Sequence, residues 1–297
     1  DAEKVTAVVD GVCYDMYVKE RNSQFDYYAV TLSLESHQIS YHFRIEKRGE
    51  LICYNRQGVV DVINPYFDFC IIPGFHTPAW AKGAVMYQIF VDRFYNGDSS
   101  NDVVDREYSY IGEPVTRVKD WNKMPASMGV REFYGGDLKG IWEKLDYLQD
   151  LGVEVLYLNP IFESHSNHRY DTADYEKVDS LLGDENDLKS LCKKSKEKYG
   201  ISIILDGVFS HTGCDSRYFN MYNHYNDVGA YNSKQSPYYS WYKFINWPDE
   251  YHSWWGIKLL PEVIEEDESY RNYICGKNGI QLSLLILHHL WNRYQWQ

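Results

Sequence analysis

Apolar and polar positions alternate with a period of two through Tyr28, Val30, Leu32 and Leu34, set against Ala29, Thr31 and Ser33. The same period returns through Ile39, Tyr41, Phe43 and Ile45, set against Ser40, His42, Arg44 and Glu46. Side chains on a strand point to opposite faces in turn, so this pattern predicts strands with one covered face. A polar Lys47-Arg48-Gly49-Glu50 step leads into Leu51-Ile52-Cys53-Tyr54, the pattern of a hairpin. No stretch between residues 1 and 75 carries convincing helical spacing, which predicts a small all-β sandwich domain over residues 1–76. Pro73-Gly74 and Thr77-Pro78 mark a linker.

From Val85 the pattern changes to short apolar runs alternating with helical spacing. Val85 to Val91, Val153 to Leu158 and Ile201 to Leu205 read as buried strands. Between them, Ile141, Leu145, Leu148 and Leu151 recur at helical spacing over Asp137–Leu151, with Asp137 as cap and Gly152 just past the end. Leu188, Leu191, Cys192 and Tyr199 do the same over Asp184–Tyr199, with Gly200 as the stop. Three strands with crossover helices predict an α/β domain with a parallel sheet. The aromatic, polar stretch 207–265 reads as an excursion after the third strand.

Chemistry in α/β barrels and open sheets collects at the carboxyl ends of parallel strands. Here those ends are polar: Asp92-Arg93 after the first, Asn159-Pro160 after the second, and Asp206, with His211 shortly beyond, after the third. One such Asp can simply cap the next element. Three polar ends in succession point to a site.

Composition narrows the function. With 44% hydrophobic and 25% charged residues the chain is a folded protein, not a disordered one. A formal charge of −13 argues against nucleic acid, since phosphate capture needs clustered Lys and Arg. No apolar run approaches the roughly 20 residues that span a bilayer. The start, Asp1-Ala2-Glu3-Lys4-Val5, resembles no secretion signal and lacks Met, so trimming of the start is expected. The cysteines Cys13, Cys53, Cys70, Cys192, Cys214 and Cys275 show no C-x-x-C spacing, which leaves a zinc cluster unsupported; reduced thiols in a cytoplasmic protein are expected. Aromatic residues make up 16%, with 28 Tyr and 9 Trp against 12 Phe. Rings with a polar handle suit stacking on sugars and suit an aromatic core equally well.

Asp206-Gly207-Val208-Phe209-Ser210-His211 resembles the signature segment at the third barrel strand of the α-amylase family, glycoside hydrolase family 13. Ser166-Asn167-His168-Arg169-Tyr170-Asp171-Thr172-Ala173-Asp174-Tyr175 is similar to the family segment after the second strand. Val85 to Phe94 resembles its first strand, and Phe133-Tyr134-Gly135-Gly136-Asp137-Leu138 its entry to the first helix. The four matches occur in the family's order. The β-rich start further resembles the cyclomaltodextrinase and neopullulanase branch, which carries a sandwich domain before the barrel. The resemblance implies the amino-terminal part of a TIM (β/α)8 barrel over 77–280, preceded by a carbohydrate-binding-like β-sandwich, with a homodimer as one expectation for a full-length parent. It assigns Tyr170 to stacking on the sugar at the cleaved bond, His211 to hydrogen-bonding that sugar's hydroxyls, and Asp206 to ordering the catalytic groups. Trp241, Trp247, Trp254 and Trp255 are candidates for glucan platforms or for the excursion's own core.

The loop Asn96-Gly97-Asp98-Ser99-Ser100-Asn101-Asp102 is dense in oxygen-bearing side chains. Hard oxygen ligands suit calcium, although such loops also occur as solvated turns. The resemblance implies calcium here, with Asn96, Asp98, Asn101, Asp102, the Gly135 carbonyl and Asp137 as ligands. Ser210 stands where many relatives have Asn. A serine hydroxyl is a weaker ligand, so a second calcium is not expected.

A retaining glycosidase needs two carboxylates about 5 to 5.5 Å apart, which the family takes from its fourth and fifth strands. Neither segment occurs, and residues 281–297 match nothing in the family and contain no Asp or Glu. A complete barrel takes about 250 residues, more than the stretch from Val85 supplies. The expectation is therefore an inactive amino-terminal fragment of an α-glucan hydrolase, unstable through its unclosed sheet. The alternative is a non-catalytic protein that binds α-glucan oligosaccharides. A phosphate-cradling enzyme is excluded by the lack of a Gly-rich loop of the required length.

Overall fold

The computed structural model describes residues 2–33 and 38–275; Leu34 and the tail 281–297 lie outside the described residues. The chain divides into two compact units, residues 1–79 and 80–297.

In the first unit Lys4–Val9 lies between Val12–Asp15 and Ile39–Lys47, and the antiparallel sheet continues through Glu50–Asn55 to Gly58–Val60. Phe69–Ile71 pairs with the start of Ile39–Lys47. Two of the hairpins turn on residue pairs with positive φ, Asp10 (46°) with Gly11 (83°) and Arg48 (54°) with Gly49 (78°). That geometry matches the twist of the flanking strands in a two-residue turn. A second ribbon pairs Tyr17–Arg21 with Asp26–Ala29. The alternation from Tyr28 onward carries a strand only as far as Ala29. Tyr17 lies opposite Ala29, and the residue before it, Met16, already bonds Val5 of the first sheet. Val30 and Leu32 therefore leave the ladder and pack against Ala7, Val9 and Ile39.

In the second unit Met86–Ile89, Val155–Leu158 and Ser202–Leu205 form a parallel sheet with Val155–Leu158 in the middle. Met86 and Ser202 both lie opposite Val155, and Ile89 and Leu205 both lie opposite Leu158. The three strands thus end in line, and the residues that follow them emerge along one edge. Ile89, Leu156 and Leu158 pack with Ile141, Leu145, Leu148 and Leu191 of the crossover helices. Full burial of each such side chain contributes on the order of 2 kcal/mol.

The first crossover is divided, where the spacing predicts one helix, into Leu138–Glu143 and Leu145–Asp150. At Lys144 the backbone N–H is shared between the carbonyls of Gly140 (3.2 Å) and Ile141 (3.1 Å), and ψ of 8° steps out of the α ladder. Leu145 and Leu148 nonetheless stay on the buried face. Asp137 caps the helix by accepting from Gly140 N at 2.6 Å. The second crossover runs Glu185–Tyr199 and ends at Gly200, whose φ of 71° only glycine adopts cheaply. Asp184 accepts from Asn186 N (2.8 Å) and Asp187 N (2.9 Å), and the Asp187 carboxylate returns to Asp184 N at 3.0 Å.

The excursion folds around an aromatic core in which Phe219 meets Tyr242 at 4.9 Å and Tyr251 at 4.7 Å. All six cysteines are free. No helix among the described residues is long and apolar enough to cross a membrane.

Asp184→Ala removes the side-chain acceptor of Asn186 N and Asp187 N while leaving the Asp184 N–H on the Asp187 carboxylate, and is expected to cost about 1 kcal/mol, read as a lower urea midpoint at unchanged slope. An unshifted midpoint would show that the cap does not support the fold.

Candidate active site at the strand ends

Hydrogen bonds run across the carboxyl edge of the parallel sheet. Gln88 Nε2 donates to Asn159 Oδ1 at 2.8 Å, Asn159 Nδ2 faces Tyr170 Oη at 3.4 Å, and Tyr170 Oη donates to Asp206 Oδ2 at 2.9 Å. Tyr157, on the middle strand, also hydrogen-bonds Asp206. Burial raises the pKa of both tyrosines, and the Asp206 carboxylate raises it further, so both remain protonated donors. Asp206 is buried.

His211 is drawn to the same place. Its Nε2 lies 3.1 Å from the Tyr170 carbonyl, and its Nδ1 lies 3.0 Å from Ser210 Oγ. A carbonyl can only accept, so Nε2 carries a proton. Trp254 lies over the imidazole, with ring centroids 5.1 Å apart. The ring is 4% exposed, and Tyr170 is half-buried beside it. Tyr170, Asp206 and His211 are therefore contiguous.

The loop that carries Tyr170 is rigidly built. Arg169 is buried with φ of 61°; its Nε donates to Asp179 Oδ2 at 2.9 Å and its Nη1 to the Asn167 carbonyl at 2.6 Å. Asn167 Nδ2 donates to the carbonyls of Gly129 and Glu132, both at 2.7 Å. Asp171 Oδ1 accepts from Ser164 Oγ at 2.6 Å and from Ser166 Oγ. Burial opposes ionisation of Asp171, but His168 and these hydroxyls outweigh it and lower its pKa.

Asp92, the polar end of the first strand, does other work. Its carboxylate accepts from Tyr134 N (3.1 Å), Gly135 N (3.3 Å) and Arg93 Nε (2.9 Å), and burial raises its pKa. It fastens the Gly135-Gly136-Asp137 segment to the first strand.

That segment closes the oxygen-rich loop. Asp137 accepts from Gly97 N (3.1 Å), Asp98 N (2.8 Å) and Asn101 Nδ2 (3.3 Å). Asn96 Nδ2 donates to Asp102 Oδ1 at 2.7 Å, and Asp102 also pairs with Arg117. A side chain on Gly135, whose φ is 80°, would overlap Asp102 Oδ1. Asn96, Asn101, Asp102, Gly135 and Asp137 thus converge. Asp98 turns its carboxylate outward to Ser100 Oγ (2.6 Å) and Lys139 Nζ (3.2 Å), and chiefly these Ser100 contacts bring its pKa down to about 2.

Sequence reasoning missed Tyr157, Gln88 and the Arg169–Asp179 pair. Tyr157 had one signal, a polar-tipped ring inside an otherwise aliphatic strand. Among the excursion's tryptophans, Trp241 is core and Trp247 donates to the Ala230 carbonyl at 3.0 Å. Trp254 and Trp255 stack at 4.2 Å, and Trp255 is 70% exposed, so Trp255 presents an open face.

Parallel strands in sequential order, with hydrogen-bonded polar side chains at their carboxyl ends, are the arrangement of α/β enzymes, the barrel type among them. Residues 88–266 match the family described as alpha amylase, catalytic domain, and residues 12–72 match the alpha amylase N-terminal ig-like domain. The chain belongs to the α-amylase family, and its architecture is the β domain and partial barrel expected from the sequence. An amylopullulanase of Thermoanaerobacterium saccharolyticum is 42% identical over 288 residues, covering 87% of this chain and 22% of the relative. A cyclomaltodextrinase of Thermoanaerobacter pseudethanolicus is 36% identical over 307 residues, covering 94% of this chain and 50% of the relative. The solved type III pullulan hydrolase from Thermococcus kodakarensis superimposes with a TM-score of 0.62 at 28% identity, covering 93% of this chain and 48% of that one. The chain therefore spans half or less of the length of these relatives.

Gly135→Ala combines a positive φ with a collision against Asp102 and is expected to destabilise by about 1–3 kcal/mol. Gly112→Ala, at φ of 73° with open space around it, should cost less. Urea midpoints of the two variants check the order, and equal costs would show that the loop yields to the added methyl.

Proposed function

We propose that this chain is the amino-terminal part of an α-glucan hydrolase that cleaves α-1,4-glucosidic bonds in maltodextrins, cyclodextrins or pullulan with retention of configuration. The observation that carries this reading is the contiguous Tyr170, Asp206 and His211 at the strand ends. Tyr170 offers an amphipathic ring to one face of a pyranose. Asp206, bonded by Tyr157 and Tyr170, orders the edge of the sheet. His211 presents a protonated Nε2 that can pass from the Tyr170 carbonyl to a sugar hydroxyl. The named activities of the amylopullulanase and cyclomaltodextrinase relatives support an α-glucan substrate, and six free thiols fit a reducing compartment.

The nucleophile and acid segments of the family are not in these 297 residues. The chain by itself is expected to release no reducing sugar from starch, pullulan or cyclodextrin. In a chain continued through the fourth and fifth strands, His211→Ala and Tyr170→Ala should lower kcat at least about tenfold while shifting Tm little, because a bond that strengthens in the transition state is felt in the rate. Unchanged kinetics in either variant would remove that residue from the site.

We also propose a structural calcium ion in the first loop of the barrel. Asn96, Asn101, Asp102, the Gly135 carbonyl and Asp137 would hold it, and Asp98 would join by turning from Lys139. The buried Asn101 Oδ1 accepts no hydrogen bond, Asp102 Oδ2 faces the Arg117 guanidinium, and the donors are all oxygen, which suits a hard cation. Calcium would neutralise the crowded carboxylates. A ligand that binds only the folded state, at a hundred times its Kd, stabilises by about 2.7 kcal/mol. Melting curves should therefore rise by several degrees in calcium over chelator, and Asn101→Ala should abolish most of the rise. Identical melting with and without calcium would reduce the loop to a hydrogen-bonded turn.

A further inference from the structure

We propose that His165, Asp215 and His224 bind a first-row transition-metal ion of the zinc type. His165 follows the Phe162–Ser164 strand, beyond the second barrel strand, while Asp215 and His224 belong to the excursion after the third. Their ligand atoms all lie within 4.8 Å of one another. The group lines a cleft of about 300 Å³ together with Tyr110, Cys214 and Tyr222. None of the three takes part in the sugar site or the oxygen-rich loop.

Two of the ligands are already placed. Asp215 is buried. His165 Nδ1 is buried and lies 2.8 Å from Asp215 Oδ2, yet makes no aligned hydrogen bond. Its ring stands edge-on to Tyr108, whose hydroxyl donates to the His165 carbonyl at 2.8 Å. His224 is exposed, tilted over His165 at 5.4 Å and over Tyr222 at 5.7 Å, so its ring stands at the open side of the group. Zinc–nitrogen bonds of about 2.0–2.1 Å in a tetrahedron set the ligand atoms roughly 3.4 Å apart. Closing from 4.8 Å therefore asks only a small movement of the exposed ring.

The donor set selects the metal. Two neutral imidazoles with one carboxylate suit zinc and its transition-metal neighbours, while calcium prefers oxygen alone. Cys214 lies buried in the same cleft. Three ligands leave a fourth position for water. A bound ion would tie the loop after the second strand to the excursion.

The test uses the whole chain, freed of metal by chelator and titrated with zinc alone, with cobalt(II) as a spectroscopic probe. One equivalent of zinc and the intense visible absorption of tetrahedral cobalt are expected. His224→Ala, which removes only an exposed ring, should weaken zinc at least about tenfold with an unchanged circular dichroism spectrum, and Asp215→Asn should do the same. No saturable equivalent, or an isotherm unchanged by His224→Ala because zinc sits elsewhere, for example at His288-His289, would overturn the proposal.

Discussion

The polar edge at the ends of the barrel strands depends on one buried ion pair. Arg169 and Asp179 are 1% and 3% exposed, and the Arg169 backbone is held at φ of 61°, a conformation that a long side chain adopts only when its surroundings impose it. Asp179 is itself anchored, since its N–H donates to the Ile161 carbonyl at 2.9 Å and its second oxygen accepts from Leu181 N at 2.9 Å. The guanidinium thus fastens the Tyr170 loop to the chain entering the second crossover helix. Breaking such a pair by removing one partner typically costs about 3–5 kcal/mol, because the survivor is a buried charge without compensation. From this anchor, Tyr170 is sent toward Asp206 and Asp171 toward Ser164 and Ser166.

The aromatic composition serves the same end from the other side. Tyr175 Oη donates to the Val208 carbonyl at 2.6 Å, and Tyr270 Oη to the Phe209 carbonyl at 2.8 Å. Tyr242 Oη meets Thr212 Oγ1 at 2.8 Å. These buried hydroxyls satisfy the segment that carries His211, whose backbone would otherwise bury polar groups without partners. Much of the tyrosine that suggested sugar stacking is thus a hydrogen-bonding core, while Trp255 stays exposed.

What was legible in the sequence was local or periodic. The cap at Asp137, the stop at Gly200 and the three barrel strands each follow from a few neighbouring residues. The strand read through Leu32 was misleading because pairing depends on where the partner strand turns away, at Met16, which no alternation records. The break at Lys144 was invisible because the buried face continues through it. In the site, Tyr170, Asp206 and His211 come together where the motifs put them. Asp98 does not join its neighbours, since Ser100 and Lys139, the latter far along the chain, hold its carboxylate outward. The Arg169–Asp179 pair joins residues on either side of the Thr172–Val178 strand, a contact that neither residue's neighbours in sequence record.

The in-line ending of the three barrel strands acts as a ruler for whatever is laid beside them. Among the described residues the outer edge of Ser202–Leu205 has no partner strand, so its backbone groups form a template with a fixed spacing of about 4.8 Å per added strand. A strand placed there in the same register would release its first loop residue about that far from Asp206, and the next about twice as far. The lateral position at which the loop of an added strand emerges is therefore fixed by backbone spacing before any side chain is chosen.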